Sequence, residues 1–238
     1  MIMKVISFSL WGDDKLYCQG AIENVELAKI HYPGWVCRFY VDVMCPAIEN
    51  LKKLDCEVHE IESIYTHDDP RYIQNQAIDR TKDDWHMNEA NKGMLWRFLA
   101  IDDPNVDVVI FRDCDSRLGE RDAQAVNEWL RSGYPMHRMH ECKEHWNAQV
   151  MGGMWGIHTS AISGSVADSI TNYIENYRKI RNEPWIFVDL WWIMDCLWPS
   201  MQNHCYGHGY GHPNKFKVDG PMVGGVVNEE WRGQKYVP

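Results

Sequence analysis

The chain opens with an apolar, β-branched run, Met3 to Leu10 (MKVISFSL), which predicts a first strand closed by the turn residues Trp11-Gly12-Asp13-Asp14. From Cys18 to His31 the apolar residues fall at Ala21, Ile22, Val25, Leu27, Ala28 and Ile30, the spacing of an amphipathic helix, and Tyr32-Pro33-Gly34 stops it. Trp35 to Val41 reads as a second strand ending at Asp42. Pro46 to Leu54 reads as a helix begun by its proline, and Cys56 to Ile61 as a short third strand. Strand, helix and strand in alternation predict right-handed βαβ units and hence an α/β fold with a mostly parallel sheet flanked by helices.

The pattern then changes. Tyr65 to His86 is polar and has neither period, as a functional or mobile loop would. Asn88 to Ile101 predicts a helix with Met94, Leu95, Phe98 and Leu99 inward. Val108 to Phe111 is short and wholly apolar, as in a strand buried on both faces. Arg121 to Arg131 predicts a helix ended by Gly133-Tyr134-Pro135, and Met136 to His140 alternates like a strand. Val150 to His158 is glycine-rich. Ser160 to Ile180 predicts a long helix, and Pro184 to Trp198 is aromatic at roughly helical spacing. The tail from Asn203 carries His204, His208 and His212 among glycines, as a ligand-wrapping loop would, and Val223 to Val227 predicts a final strand. With no internal repeat or low-complexity linker, residues 1–238 read as a single domain.

Composition narrows the function classes. Hydrophobic residues make up 45% and charged residues 24%, an ordinary globular balance. A net charge of −10 argues against a nucleic-acid binder but not against a nucleotide ligand, since a bound divalent metal reverses the local charge. The eight cysteines form no C-x-x-C pair, and no signal peptide is recognised ahead of them. Reduced thiols and a cytoplasmic location are therefore expected. No apolar run reaches the length of a transmembrane segment.

The candidate chemistry centres on Asp107 to Arg117 (DVVIFRDCDSR). Asp113 and Asp115 stand at i and i+2 where a buried strand leaves the sheet, so both carboxylates can turn toward one cation. Hard oxygen ligands suit Mg²⁺ or Mn²⁺, which also hold diphosphate oxygens. The plainer alternative is an acidic turn solvating a strand end. Ligands of parallel sheets bind beyond the carboxyl ends of the strands, which singles out Ser7 to Gly12, Asp42, and Asp113 with Asp115. Lys92 and Arg97 precede the acidic strand and are candidates for a diphosphate. Gly152, Gly153 and Gly156 permit close backbone approach to a ligand or a packed, bulged strand. Asp189 is a lone acid among aromatics, so it marks a cap or a site. His137, His140 and His145 lack the spacing of a structural zinc site.

With these residues in view, the chain resembles the GT-A (Rossmann-like) glycosyltransferases, in particular the small bacterial and viral type related to the glycogenin and lipopolysaccharide galactosyltransferase group. The resemblance covers most of the chain. It rests on VISFSLWG, YPGWVCRFYVD, KGMLWRFLAIDD, VVIFRDCDSR, VMGGMWGIH and FVDLWWIMDCLWP in that order. It implies that Asp113 and Asp115 hold Mn²⁺ (or Mg²⁺) against a nucleotide diphosphate, with Cys114 between them. It implies that Ser7, Phe8, Ser9 and Leu10 border base and ribose, that Asp42, Gly152 and Gly153 line the same pocket, and that Arg97 faces the donor. Asp189 matches the acid of an acid–glutamine element that faces the transferred sugar, although Leu190 stands where the glutamine is usual. His208 is the matching third metal ligand, with His204 and His212 as competitors.

The function so implied is hexosyl transfer from a nucleotide sugar, UDP-sugar favoured, to a glycan, lipid or protein acceptor, with retention of configuration. Two other classes stay open: a metal-dependent nucleotidyltransferase, and a non-catalytic nucleotide-sugar-binding module.

Overall fold

The computed structural model describes residues 2–61, 89–140, 145, 148–181 and 183–209. Among the described residues, seven strands form one sheet: β1 (Lys4–Leu10), β2 (Val36–Asp42), β3 (Glu57–Ile61), β4 (Val108–Phe111), β5 (Met136–His140), β6 (Trp155–His158) and β7 (Cys205–Gly209). Their order is β3-β2-β1-β4-β6-β5-β7. β1 is parallel to β2 and β4, β2 to β3, and β5 to β7. β6 is antiparallel to both of its neighbours and, among the described strands, alone runs against the rest. The sheet is thus mixed and mostly parallel, as the strand–helix alternation predicts.

Connections fix where a ligand can sit. β1 leads by α1 (Lys15–His31) to β2 on one side, and β2 leads by α2 (Ile48–Leu51) to β3 beyond it. β4 lies on the other side of β1, and the chain leaves it by α3 (Glu120–Ser132) toward β5. β1 and β4 are therefore neighbours whose outgoing connections diverge. The crevice beyond their carboxyl ends is a topological switch point, where open α/β sheets bind ligands.

Period-2 alternation divides the core between the two faces of the sheet. Ile6, Phe8, Leu10, Val108 and Ile110 pack with Ala21, Val25 and Ala28 of α1 and with Val126 and Trp129 of α3. Val5, Val109, Phe111 and Trp155 pack on the other face. There they meet Leu95 and Phe98 of a long 3₁₀ helix (Glu89–Asp102), α4 (Val166–Ile180), and Val188 and Trp192 of α5 (Val188–Trp192). A single π-helical turn, Ile193–Leu197, joins α5 to α6 (Trp198–Met201). Among the described residues, four tryptophans, Trp129, Trp155, Trp185 and Trp192, are core residues, each no more than 3% exposed.

Three elements depart from the pattern. The segment expected as a helix from Ser160 begins helix only at Val166. Ser165 caps it by accepting from the Asp168 amide, and the Asp102 carboxylate accepts from the amides of Val166 and Ala167 at 2.7 and 2.8 Å. The helix expected over Pro46 to Leu54 contracts to one turn. The histidine–glycine segment is not a loop as far as Gly209: Cys205–Gly209 is a strand laddered on β5. The expected loop at Tyr65 to His86, His212 and the strand at Val223 to Val227 lie outside the described residues. None of the described helices is long and apolar enough to cross a membrane.

His140 in β5 carries a pH dependence. It is 1% exposed, and its Nε2 pairs with the Ala148 carbonyl at 3.0 Å. Burial pushes its pKa down to about 4, against the carbonyl's opposing pull. Below about pH 6.5, the ordinary imidazole value, the unfolded chain takes up a proton that the folded chain refuses. Stability from this group is therefore full above that pH and falls as pH drops toward 4. Urea unfolding at pH 7.5 and pH 5 should show a loss of about 2 kcal/mol from His140. A His140→Gln variant is expected to show a correspondingly shallower acid dependence, and an unchanged one would contradict the assignment.

Candidate active site at the switch point

Arg97 is the centre of the site. It lies on the 3₁₀ helix and is 3% exposed. A buried guanidinium is stable only if its charge and donors are met, and here two carboxylates meet it. Nη1 pairs with Asp113 Oδ1, immediately beyond β4. Nη2 pairs with Asp189 Oδ2, in the first turn of α5, at 2.6 Å. Nη1 also donates to the Arg112 carbonyl at 3.3 Å. Burial pulls the Arg97 pKa down, but the charges of Asp113 and Asp189 more than offset it and the net shift is upward. Asp189 is 4% exposed. Burial raises its carboxyl above the usual range, Arg97 opposes the rise, and Asp113 adds to it.

β1 sets the position of Arg97. The Ser9 hydroxyl accepts from the Arg97 amide at 2.8 Å, and the Ser7 hydroxyl donates to the Arg97 carbonyl at 2.7 Å. These two residues share one face of β1, and Phe8 and Leu10 point the other way into the α1-side core. Ser7 and Phe8 are 0% exposed and Leu10 1%: the side chains of Ser7 and Ser9 hold the helix that carries Arg97, and those of Phe8 and Leu10 pack in the α1-side core. Asp42 likewise closes its own turn by accepting from the Met44 amide at 2.8 Å. Cys114 is 1% exposed, and its thiol donates to the Ser9 carbonyl at 3.4 Å.

Gly152 and Gly153 lie against the two acids. A Cβ on Gly152 would lie 1.9 Å from Asp189 Oδ2 and 2.8 Å from Arg97 Nη2; one on Gly153 would lie 2.1 Å from Asp113 Oδ2. The two glycines let the main chain pass directly against both carboxylates that hold Arg97. Gly156, inside β6, makes the same allowance for Ile110 and Trp129.

Two features were not legible in the sequence. Arg112, the first residue of the acidic turn, is 4% exposed and donates to both oxygens of Asp122 at 3.1 and 2.6 Å. It also donates to the carbonyls of Phe111 and Trp155 at 2.7 and 3.3 Å, which clamps the ends of β4 and β6 from which the site emerges. Gly20 of α1 lets the turn pack on the helix, since a Cβ there would lie 1.9 Å from the Cys114 carbonyl. No short-range signal marks either pairing.

The donor set suits a hard cation in part. Two carboxylates share one guanidinium, leaving net negative charge where the Asp113 side chain, 43% exposed, meets solvent. Asp115 follows two residues on and is 9% exposed. Among the described residues, no three His, Cys, Asp or Glu groups come together as a metal cage. His208 does not join the pair. It lies on β7, three strands from β4 and hence roughly 14 Å away across the sheet. Its Nδ1 pairs with His137 Nε2 at 2.7 Å and its Nε2 with Glu128 at 3.1 Å. His204 precedes β7, and its carbonyl bonds the amide of Met136, at the end of the sheet opposite the site. Lys92 lies over the Trp185 ring, 4.4 Å from its centroid.

No protein-family model matches the chain, and no curated protein matches it. Among solved structures, a similar one is mouse xyloside xylosyltransferase 1 in its apo form. The TM-score is 0.38 and the identity 10%, over 90% of this chain and 99% of that one.

The glycine packing gives a direct test. Gly152→Ala should lower stability by about 1–3 kcal/mol, the usual range for overpacking, read by urea unfolding. The same exchange at Gly119, where a Cβ meets nothing within 4 Å, should cost far less. Equal costs at the two positions would contradict the close approach to Asp189.

Proposed function

We propose that the chain is a metal-dependent GT-A glycosyltransferase that moves a sugar from a nucleotide diphosphate, UDP favoured, with retention of configuration. The observation that carries the reading is the Arg97 bridge between Asp113 and Asp189 at the topological switch point. It joins the acidic turn, the helix before it and the acid of the aromatic segment, three parts of the chain on which the sequence resemblance also rests.

In this reading Asp113 and Asp115 would hold Mn²⁺ or Mg²⁺, hard cations suited to carboxylate oxygens. The metal would supply positive charge against the diphosphate as the glycosidic bond breaks. Arg97, itself buried, adds a fixed, preorganised positive charge beside the exposed Asp113 carboxylate. It also aims the Asp189 carboxylate, whose amide contact to Leu190 at 2.8 Å fixes the other oxygen. Asp189 then faces the sugar and stabilises positive charge developing at its anomeric carbon. With retention, the acceptor, a glycan, lipid or protein, takes the same face of that carbon as the leaving group.

Leu190, in place of the glutamine usual after this acid, favours a second reading: a module that binds nucleotide sugars without turning them over. Released monosaccharide from a nucleotide sugar in the absence of acceptor separates the two.

Thermal unfolding with UDP, GDP and CDP and their sugars, with and without Mn²⁺, tests the ligand class. At a hundredfold excess over Kd the midpoint should rise by roughly 5 °C or more. The Asp115→Ala variant should lose the Mn²⁺-dependent part of that rise and keep its fold. If no nucleoside diphosphate produces a Mn²⁺-dependent shift, the proposal fails.

A further inference from the structure

Cys18 and Cys45 are 27 residues apart in sequence, and their sulfurs are 3.9 Å apart in the fold. Cys18 stands in the first turn of α1, its amide bonded to the Asp14 carbonyl at 3.0 Å. Cys45 follows β2. Its amide donates to the Asp42 carbonyl at 2.8 Å, and its carbonyl accepts from the Ile48 amide at 3.1 Å. Main-chain hydrogen bonds therefore fix both residues while their side chains face each other. A disulfide requires the sulfurs to close from 3.9 Å to about 2.05 Å, a movement of under 2 Å.

The other described thiols are placed differently. Cys37 and Cys56 direct their sulfurs to the carbonyls of Asn24 and Leu51, and Cys114 to that of Ser9. Cys205 bonds the Tyr206 carbonyl, and Cys196 is exposed. The Cys18–Cys45 pair is also not a thiolate metal site, because among the described residues no third His, Cys, Asp or Glu joins it. Access is asymmetric: Cys18 is partly exposed and Cys45 is 1% exposed. Cys18 also lies near the amino end of α1, where the helix dipole favours a thiolate. The hydrogen bond from Cys45 lowers its pKa, against burial and the nearby Asp13 and Asp14.

We propose that Cys18 and Cys45 form an oxidation site, in which a hydroperoxide converts the facing thiols into a disulfide that ties the first turn of α1 to the turn after β2. Cys18 is the attacking residue and Cys45 the resolving one. The Cys18 thiolate attacks the peroxide, the O–O bond breaks, water leaves after protonation, and a sulfenic acid forms on Cys18. Cys45 Sγ then attacks Cys18 Sγ, the S–O bond breaks, and a second water leaves. The two thiols lose two electrons together, and hydrogen peroxide takes them up to become two waters.

The site stands apart from the glycosyl-transfer reading, because its test reads only the thiols. The full chain, reduced and then titrated with hydrogen peroxide, is digested under alkylating conditions and mapped by mass spectrometry. The expected product is a Cys18–Cys45 peptide pair lighter by two hydrogens, formed by the time exposed Cys196 has oxidised and reversed by dithiothreitol. In a Cys45→Ala variant, Cys18 should instead be trapped as a dimedone adduct. The wild type is decisive even if that variant does not fold. Full oxidation of Cys196 with Cys18 and Cys45 both still free would overturn the proposal. So would a dimedone adduct on Cys18 while Cys45 is present as a thiol.

Discussion

The buried guanidinium of Arg97 is the constraint on which the site depends. A charge this deep is tolerable only with partners in place, and removing one partner from such a pair typically costs about 3–5 kcal/mol. Its carboxylates come from two distant segments, 16 and 92 residues away in sequence. Arg97 therefore works as a fastener between the β4 exit and α5. The close passage of Gly152 and Gly153 over the same carboxylates adds a third segment, so the geometry of one side chain fixes the relative positions of three.

That fastener has its own support. A 3₁₀ helix has three residues per turn, which aligns residues i and i+3. Met94 and Arg97 fall on one such row, and Ser9 reaches the main chain at both, donating to the Met94 carbonyl at 3.5 Å and accepting from the Arg97 amide. Runs of 3₁₀ helix longer than a few residues are uncommon because their hydrogen-bond geometry is poor. Here 14 residues keep that form, with the hydroxyls of Ser7 and Ser9 pinning its backbone to β1. Two small polar residues inside an otherwise apolar strand thus carry the reach of Arg97 into the site.

Most of the fold was legible because its signals are local. The apolar runs of β1, β2 and β4, the helical spacing of α1, and the glycine that ends α3 at φ 77° all act within a few residues. The acidic pair was visible as two carboxylates at a strand exit. The Arg97 bridge from Asp113 to Asp189 was not, because ion pairs across 16 and 92 residues leave no periodic trace. The bonds from Ser7 and Ser9 to the Arg97 main chain were hidden because polar groups near a strand end look alike whether they face a ligand or another helix. His208 read as a loop ligand because glycines at 207 and 209 suggest a turn; pairing with β5 and contacts to His137 and Glu128 made the segment a strand instead. The Cys18–Cys45 contact was equally hidden, since it joins the first turn of α1 to the turn after β2 through the fold alone.

The reversed direction of β6 explains why the glycines reach the acids. In a parallel sheet each strand presents its exit at the carboxyl end, and its entry lies at the far side. β6 runs antiparallel to β4 with Trp155 opposite Phe111, so its entry lies beside the exit of β4. The segment before β6, which contains Gly152 and Gly153, is thereby delivered to Asp113. Were β6 parallel, Thr159 and the residues after it would stand there instead, and those residues follow the strand directly into a 3₁₀ turn at Thr159–Ala161. Arg112 stabilises this arrangement by donating to Phe111 and Trp155, the paired ends of the two strands. Among the described strands, the one that breaks the parallel pattern is thus the one that brings the two glycines to the acids, and the arginine beside the acidic pair is what locks it there.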